Sequence, residues 1–317
     1  MKAALGIDTS CYTTSVALAG EGGVLSSRRR LLSVAEGARG LRQSEALFQH
    51  VQRLPALVED MLSQAKDARI CCVCASARPR DTEGSYMPVF TAGTGFARAI
   101  AASLRVPFYE TSHQQGHVRA AMEGAGTLPE GFLALHLSGG TTEVLRVSPG
   151  LKIELLGGSN DLHAGQLVDR VGVRMGLSFP AGPALETLAR QGTAKGAFPL
   201  SHREGEVSFS GAEAQAMRML EAGTPREDVA AEVYSYLARA VAWLIQWAFG
   251  KTRLGAALIS GGVASSLLLR ELLPARLQKL NCPVRLHWGK PEMSGDNACG
   301  VALIGWEEYI HGNDPER

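Results

Sequence analysis

Two strand–turn–strand segments set the frame for this chain. Ala3 to Ala19 reads as a strand, LGID, a polar turn, TSCYT, and a returning strand, TSVALA. Phe132 to Val147 repeats the plan as FLALHL, SGGTT and EVLRV, about 130 residues later. In each, a buried strand stops at small hydroxyl and glycine residues and the chain comes back as another strand. A turn of that composition is built to face a ligand. Two of them predict a duplicated architecture.

The remaining pattern alternates. A long amphipathic helix is expected over about Ser44–Lys66, then a Cys-rich strand, a helix over about Gly93–Leu104, the strand VPFYE and a helix from about Ser112. After the second hairpin comes a mostly helical stretch, about 163–249, broken by the turn FPAGP. The tail alternates again: AALIS, GGVAS, SLLLRELL, VRLHW, EMSGDN, ACGVALIGWEEY. Alternation of this kind predicts the α/β class with mixed sheets. The expected division is an N-terminal α/β lobe, 1–110, and a C-terminal lobe, 111–317, carrying the helical insertion.

Composition narrows the class. Of 317 residues, 45% are hydrophobic and 20% charged, which fits a globular chain and excludes a disordered one. The formal charge of +1 excludes a protein whose whole surface attracts polyanions. Glycine stands out at 36 residues, so the backbone must turn tightly or approach something closely at many points. Of the six cysteines, Cys71, Cys72 and Cys74 lie in one apolar run and Cys11, Cys282 and Cys299 are scattered, so all six read as buried or structural. Neither a signal peptide nor an apolar run of about 18 residues is visible, which predicts a cytoplasmic protein with no membrane segment.

Several motifs can carry chemistry. Ser138-Gly139-Gly140-Thr141-Thr142 has the composition of a phosphate cradle, with backbone N–H groups and hydroxyls as donors; an ordinary hairpin turn has the same composition. Ser260-Gly261-Gly262-Val263-Ala264-Ser265 joins a strand to a helix, whose N-terminus would face an anion; a Gly-Gly there also serves packing alone. His113 and His117, spaced i,i+4, fall on one helix face within reach of one metal ion, although two polar surface residues show the same spacing. No glutamate follows as in a zinc protease motif. Asp296 is the best third ligand, and it reads equally as a helix cap. Asp169 and Glu186 flank FPAGP, as acceptors for ribose hydroxyls or as solvated charges. Arg28–Arg30, and Arg78 with Arg80, could meet phosphates or simply face water.

Seven segments occur in one order: LGIDTSCYTTSVAL, TSHQQGHVRAAM, LSGGTTEVL, GQLVDRVGVRMGLSFPAGPALETLA, VSFSG, ISGGVASSLLLR and SGDNACGVALIG. That order resembles the tRNA adenosine threonylcarbamoyltransferase family, long called glycoprotease or O-sialoglycoprotein endopeptidase, across essentially the whole chain. The resemblance implies an actin/hexokinase/Hsp70-type (ASKHA) fold of duplicated lobes. It implies one divalent metal ion, iron or zinc, on His113, His117 and Asp296. It also implies ATP or threonylcarbamoyl-adenylate bound by Ser138, Gly139, Gly140, Thr141, Asp169, Gly182, Glu186, Gly261, Gly262 and Ser266. The implied reaction moves the threonylcarbamoyl group to N6 of the anticodon-adjacent adenosine of tRNA. The implied partners are tRNA, a related dimer partner or a second copy, and a small ATPase.

The chain departs from the family pattern at several places. Tyr12-Thr13 stand where the family carries Asp-Glu, and Ala212-Glu213 where it carries Leu-Lys. Thr141 replaces a histidine, Ser266 an asparagine, and Ala77-Arg78-Pro79-Arg80 a Gly-Pro-Gly segment. These departures carry a second reading, a divergent paralog that binds ATP or adenylate and metal as a non-catalytic interaction protein.

Overall fold

The computed structural model describes residues 1–10, 12–34, 41–295 and 297–312. The chain divides into two compact units, one of Met1–Glu123 with the segment from Met293 onward, the other Gly124–Glu292.

The first unit holds β1 (Lys2–Thr9), β2 (Thr13–Gly20), β3 (Gly23–Leu31), α1 (Gln43–Gln64), β4 (Arg69–Arg78), α2 (Phe90–Leu104), β5 (Phe108–Ser112) and α3 (His113–Met122). The second holds β6 (Phe132–Leu137), β7 (Thr142–Ser148), β8 (Lys152–Ser159), α4 (Ala164–Arg174), α5 (Gly182–Ala189), β9 (His202–Arg203), β10 (Glu206–Val207), α6 (Ser210–Glu221), α7 (Arg226–Thr252), β11 (Ala256–Ser260), α8 (Leu267–Lys279) and β12 (Arg285–Trp288). The last helix, α9 (Cys299–Gly312), belongs to the first unit.

The predicted duplication is present in the topology. The first sheet runs β3-β2-β1-β4-β5, with antiparallel pairs among the first three strands and parallel pairs after them. The second runs β12-β11-β6-β7-β8-β10-β9, and its first five strands repeat that pattern in reverse order. Each expected hairpin is therefore the start of a three-strand meander. The third strands, GVLSSRRRL and KIELLGGS, are too polar to announce themselves, because both lie towards an edge and bury little.

The expected boundary at 110 moves for a physical reason. β1 is buried along seven of its eight residues, so both faces of the first sheet need cover. α1 and α2 supply apolar side chains to one face. The apolar start of α9 supplies the other, with Ala302 and Leu303 packed on Ala17 and Ala19. The C-terminal helix thus folds with the N-terminal strands. Within the expected helical stretch 163–249 the chain also inserts the small hairpin β9–β10, and α7 forms the axis of the second core. The thiols of Cys72 and Cys74 lie buried in β4, and burial pushes both well above the usual thiol range. Among the described residues no helix is long and apolar enough to cross a membrane.

Candidate active site: a histidine pair and a glycine-lined cleft

In the first unit, the sequence Ser112-x-x-Gln115 closes a capping box. The Ser112 hydroxyl accepts from Gln115 N–H at 3.1 Å, and Gln115 Oε1 accepts from Ser112 N–H at 2.9 Å. This fixes the start of α3 at His113 and sets His113 and His117 one above the other on the helix. Their Nε2 atoms stand 3.0 Å apart. Two nitrogens each about 2.1 Å from one ion, and about 90–110° apart around it, stand roughly 3.0–3.4 Å from each other. The pair has the chemistry and the spacing of two metal ligands.

Asp8 completes the arrangement from below, and the motif reading missed it. It is the penultimate residue of β1, is fully buried, and its Oδ1 lies 2.9 Å from His113 Nδ1. Ser76 of β4 donates its hydroxyl to the same oxygen. A carboxylate on Nδ1–H fixes the tautomer that leaves the Nε2 lone pair available to a metal. The available signal was a lone acid closing the apolar run LGID. Asp296, the third predicted ligand, lies outside the described residues. Among the described residues no group of three His, Cys, Asp or Glu side chains forms a metal site. Four positions beyond Asp296, a Cβ on Gly300 would stand 1.9 Å from the Gly116 carbonyl oxygen, so α9 and α3 touch backbone to backbone between the two histidines.

Two hydroxyls that flank the first hairpin turn have partners within the fold. Thr9 donates its hydroxyl to the Val89 carbonyl at 2.9 Å and accepts from Gly93 N–H at 3.1 Å. The Thr14 hydroxyl meets His50 Nδ1 at 2.8 Å. Arg28 and Arg78 pair with Asp60 and Asp81, so neither is a ready phosphate ligand.

In the second unit a cleft of about 560 Å³ is lined by Gly139, Gly165, Val168, Asp169, Phe179, Pro180, Gly182, Pro183, Glu186, Tyr234, Gly262, Val263, Ser265 and Ser266. The predicted Gly139, Asp169, Gly182, Glu186, Gly262 and Ser266 are thus brought together. Ser138, Gly140, Thr141 and Gly261 are not among the lining residues. The Ser138 hydroxyl accepts from Gly140 N–H at 3.3 Å and Thr141 N–H at 3.1 Å, which closes the loop on itself. α4 is docked on that loop, with Gly165 N–H donating to Ser138 O at 3.0 Å. Gly261 has φ +97°, and a Cβ there would lie 2.3 Å from the Leu137 carbonyl oxygen; only glycine lets this loop cross β6.

Several predicted ligand groups already have partners within the fold. Asp169 Oδ1 accepts from Ala181 N–H at 2.8 Å. Glu186 Oε1 accepts from Leu268 N–H at 2.8 Å and from Arg190 at 3.2 Å. The Ser266 hydroxyl caps α8 by accepting from Leu269 N–H at 3.1 Å. The expected anion seat at the start of this helix is therefore occupied by the protein's own side chains. Tyr234 closes the floor, donating to the Gly182 carbonyl at 3.1 Å, and burial pushes its phenol well above the usual range. The cleft is mostly apolar, with two carboxylates and loop backbone at its rim, a composition suited to a nucleoside.

The loop VSFSG is held by its own anchor, Asp161. Burial pushes the Asp161 carboxyl up, but hydrogen bonds from Ser208 and Ser210 hydroxyls and Phe209 and Ser210 N–H groups outweigh it and hold the group well below the usual range. Glu213, at the departing position, lies 3.4 Å from Arg170.

Among known proteins, the tRNA N6-adenosine threonylcarbamoyltransferase (TsaD) family matches residues 33–301. A tRNA N6-adenosine threonylcarbamoyltransferase of Thermus thermophilus is 33% identical over 98% of this chain and 94% of its own. Among solved structures, component A of (R)-2-hydroxyglutaryl-CoA dehydratase from Acidaminococcus fermentans has a TM-score of 0.56 at 14% identity, covering 98% of this chain and 100% of that one. A ROK family glucokinase from Streptomyces griseus, solved with glucose and AMPPNP, has a TM-score of 0.55 at 13% identity, covering 96% and 99%. At such identities the likeness shows the fold alone, the ASKHA fold expected from the sequence. The match over 33–301 and the 33% identity across nearly the whole chain place this protein in the tRNA N6-adenosine threonylcarbamoyltransferase family.

Proposed function

We propose that this protein transfers a threonylcarbamoyl group from its adenylate to N6 of the anticodon-adjacent adenosine of tRNA. The observation that carries the reading is the family match over residues 33–301, because the fold alone hosts many chemistries. The cleft supports it with an apolar nucleoside-sized volume and carboxylates at its edge. In this reading the adenylate lies along Gly139, Gly182 and Gly262, with Asp169 and Glu186 towards the ribose. Ser138, Gly140, Thr141, Gly261 and Ser266 shape the loops that hold its phosphate.

His113 and His117 fit a resident divalent ion, on the 3.0 Å spacing of their Nε2 atoms and the buried Asp8 behind His113. Asp296 is the proposed third ligand, supported by the backbone contact of Gly300 with Gly116. When bound, an iron or zinc ion supplies Lewis-acid polarisation or an anchor for anionic oxygen. The chain's own part is orientation: Asp8 holds the His113 ring and α9 braces α3.

A cytoplasmic setting follows from a tRNA substrate. The net charge of +1 offers tRNA no general attraction, so binding calls for partners. A related subunit or second copy fits the outward side of α1, where Phe48 is 57% and Val51 44% exposed three positions apart. A small ATPase is the other expected partner. The test is incorporation of labelled threonine into unmodified tRNA from threonylcarbamoyl-adenylate by the metal-loaded protein. Label in the tRNA supports the transfer; nucleotide binding without label supports the non-catalytic reading instead.

A further inference from the structure

The two carboxylates that line the cleft of the second unit each divide their oxygens between two tasks. Glu186 Oε1 accepts from Leu268 N–H in the first turn of α8 at 2.8 Å and from the Arg190 guanidinium at 3.2 Å. Among the described residues no group donates to Glu186 Oε2. Asp169 shows the same division: Oδ1 accepts from Ala181 N–H at 2.8 Å, and among the described residues none donates to Oδ2. Each acid therefore brings one acceptor oxygen to a cleft whose lining is otherwise mostly apolar. A pair of neighbouring hydroxyls on one ligand supplies two donors to two such acceptors.

What orients Glu186 lies one turn further along α5. Arg190 stands four residues on, so the two side chains share a helix face. Its guanidinium also meets Glu271 of α8, with Nη1 donating to Oε2 at 3.0 Å and Nη2 to Oε1 at 2.9 Å. α5 and α8 each pack on α7, and this fork joins them to each other beside the Leu268 contact. An exposed ion pair adds little to stability, but a two-point fork fixes direction. The Glu271 side chain is 58% exposed and, among the described residues, meets Arg190 alone, so no core depends on it. The guanidinium also offsets the Glu186 charge, which would otherwise repel an anionic ligand in the same cleft. Arg190 and Glu271 each stand one position past a segment that carries the family resemblance, ALETLA and SSLLLR.

We propose that Arg190 and Glu271 are positioning residues that hold Glu186 as an acceptor for the ribose hydroxyls, and so set the preference of the cleft for a ribonucleotide; this rests on the adenylate reading above. Arg190 and Leu268 N–H draw one oxygen of Glu186 towards α8, which leaves the other for a hydroxyl donor. Glu271 keeps the guanidinium in place by taking its other donor. Without the fork, Glu186 keeps its backbone contact but swings about it, and the free oxygen loses its direction.

The test measures Kd by calorimetry for AMP and for its dideoxy analogue, which lacks both ribose hydroxyls, on the full chain. Wild type should prefer AMP at least about tenfold, as expected for hydrogen bonds to charged acceptors. Arg190→Met and Glu271→Ala should each reduce that preference at least about threefold, chiefly by weakening AMP. Glu186→Gln should reduce it too, and adding Arg190→Met to it should reduce it no further, because both act on one carboxylate. A residue that serves the fold alone weakens both ligands equally and leaves the ratio where it was. An unchanged ratio in Glu271→Ala, or in a folded Arg190→Met, overturns the assignment. A wild-type protein that binds neither nucleotide fails the adenylate reading and this assignment with it, whereas one that binds both equally fails this assignment alone.

Discussion

Replacing Asp8 with Asn tests the histidine site without disturbing its shape. The carboxylate is fully buried and holds His113 Nδ1 at 2.9 Å and the Ser76 hydroxyl on the same oxygen. The Asn carbonyl can still accept both hydrogen bonds, so the ring keeps its place, but the negative charge that makes the imidazole a better donor to a metal is gone. Partners of this kind are worth about 10–100-fold in metal affinity, or about 1.4–2.7 kcal/mol. Zinc affinity measured by competition with a chromophoric chelator should fall by that range in Asp8→Asn. His113→Ala, which removes a donor atom, should cost more. Thermal unfolding of the metal-free protein should change by less than about 1 kcal/mol, since both hydrogen bonds are kept. Zinc affinity within twofold of wild type would refute the role of Asp8. So would a loss of metal-free stability as large as the loss of affinity, because Asp8 would then serve the fold and not the ion.

Other outcomes follow from single contacts. Gly300→Ala puts a methyl 1.9 Å from the Gly116 carbonyl oxygen, so α3 and α9 must separate; it should cost about 1–3 kcal/mol in thermal unfolding and weaken zinc binding with it. An unchanged melt would contradict the backbone contact. Asp161 is held below its unfolded pKa, so its stabilisation is present above about pH 4 and is lost as pH falls, when the unfolded chain takes up the proton first. Asp161→Asn should therefore flatten the fall of stability between about pH 5 and 3; an equally steep fall would remove Asp161 as its cause. Asp169→Asn removes a charge at the cleft rim while keeping its hydrogen bond to Ala181, and AMP affinity by calorimetry should drop about tenfold. Unaltered affinity would place the nucleotide elsewhere.

Much of the architecture was legible because it is written in strong local signals. The two hairpins, the Cys-rich strand and the i,i+4 histidines are short, periodic and apolar or chemically distinct. What stayed hidden depends on contacts distant in sequence. β3 and β8 bury little, so neither shows an alternating pattern. The return of α9 to the first sheet follows from the need to cover β1, which no window of sequence displays. Asp8 lies 105 residues from His113, and only the pairing of β1 with β4 and of β4 with β5 carries α3 to it. At the cleft, residue types identified the lining, but not that Glu186 and Ser266 also cap α8. Those second duties are fixed by the packing of α5 and α8 on α7.

The most direct measurement is the mass of the modified nucleoside in tRNA from a strain that lacks the modification enzyme and carries this gene instead. The transfer predicts adenosine bearing a threonylcarbamoyl group beside the anticodon, and its loss on His113→Ala. Unmodified adenosine, in cells where the protein is folded and binds nucleotide and metal, would contradict it.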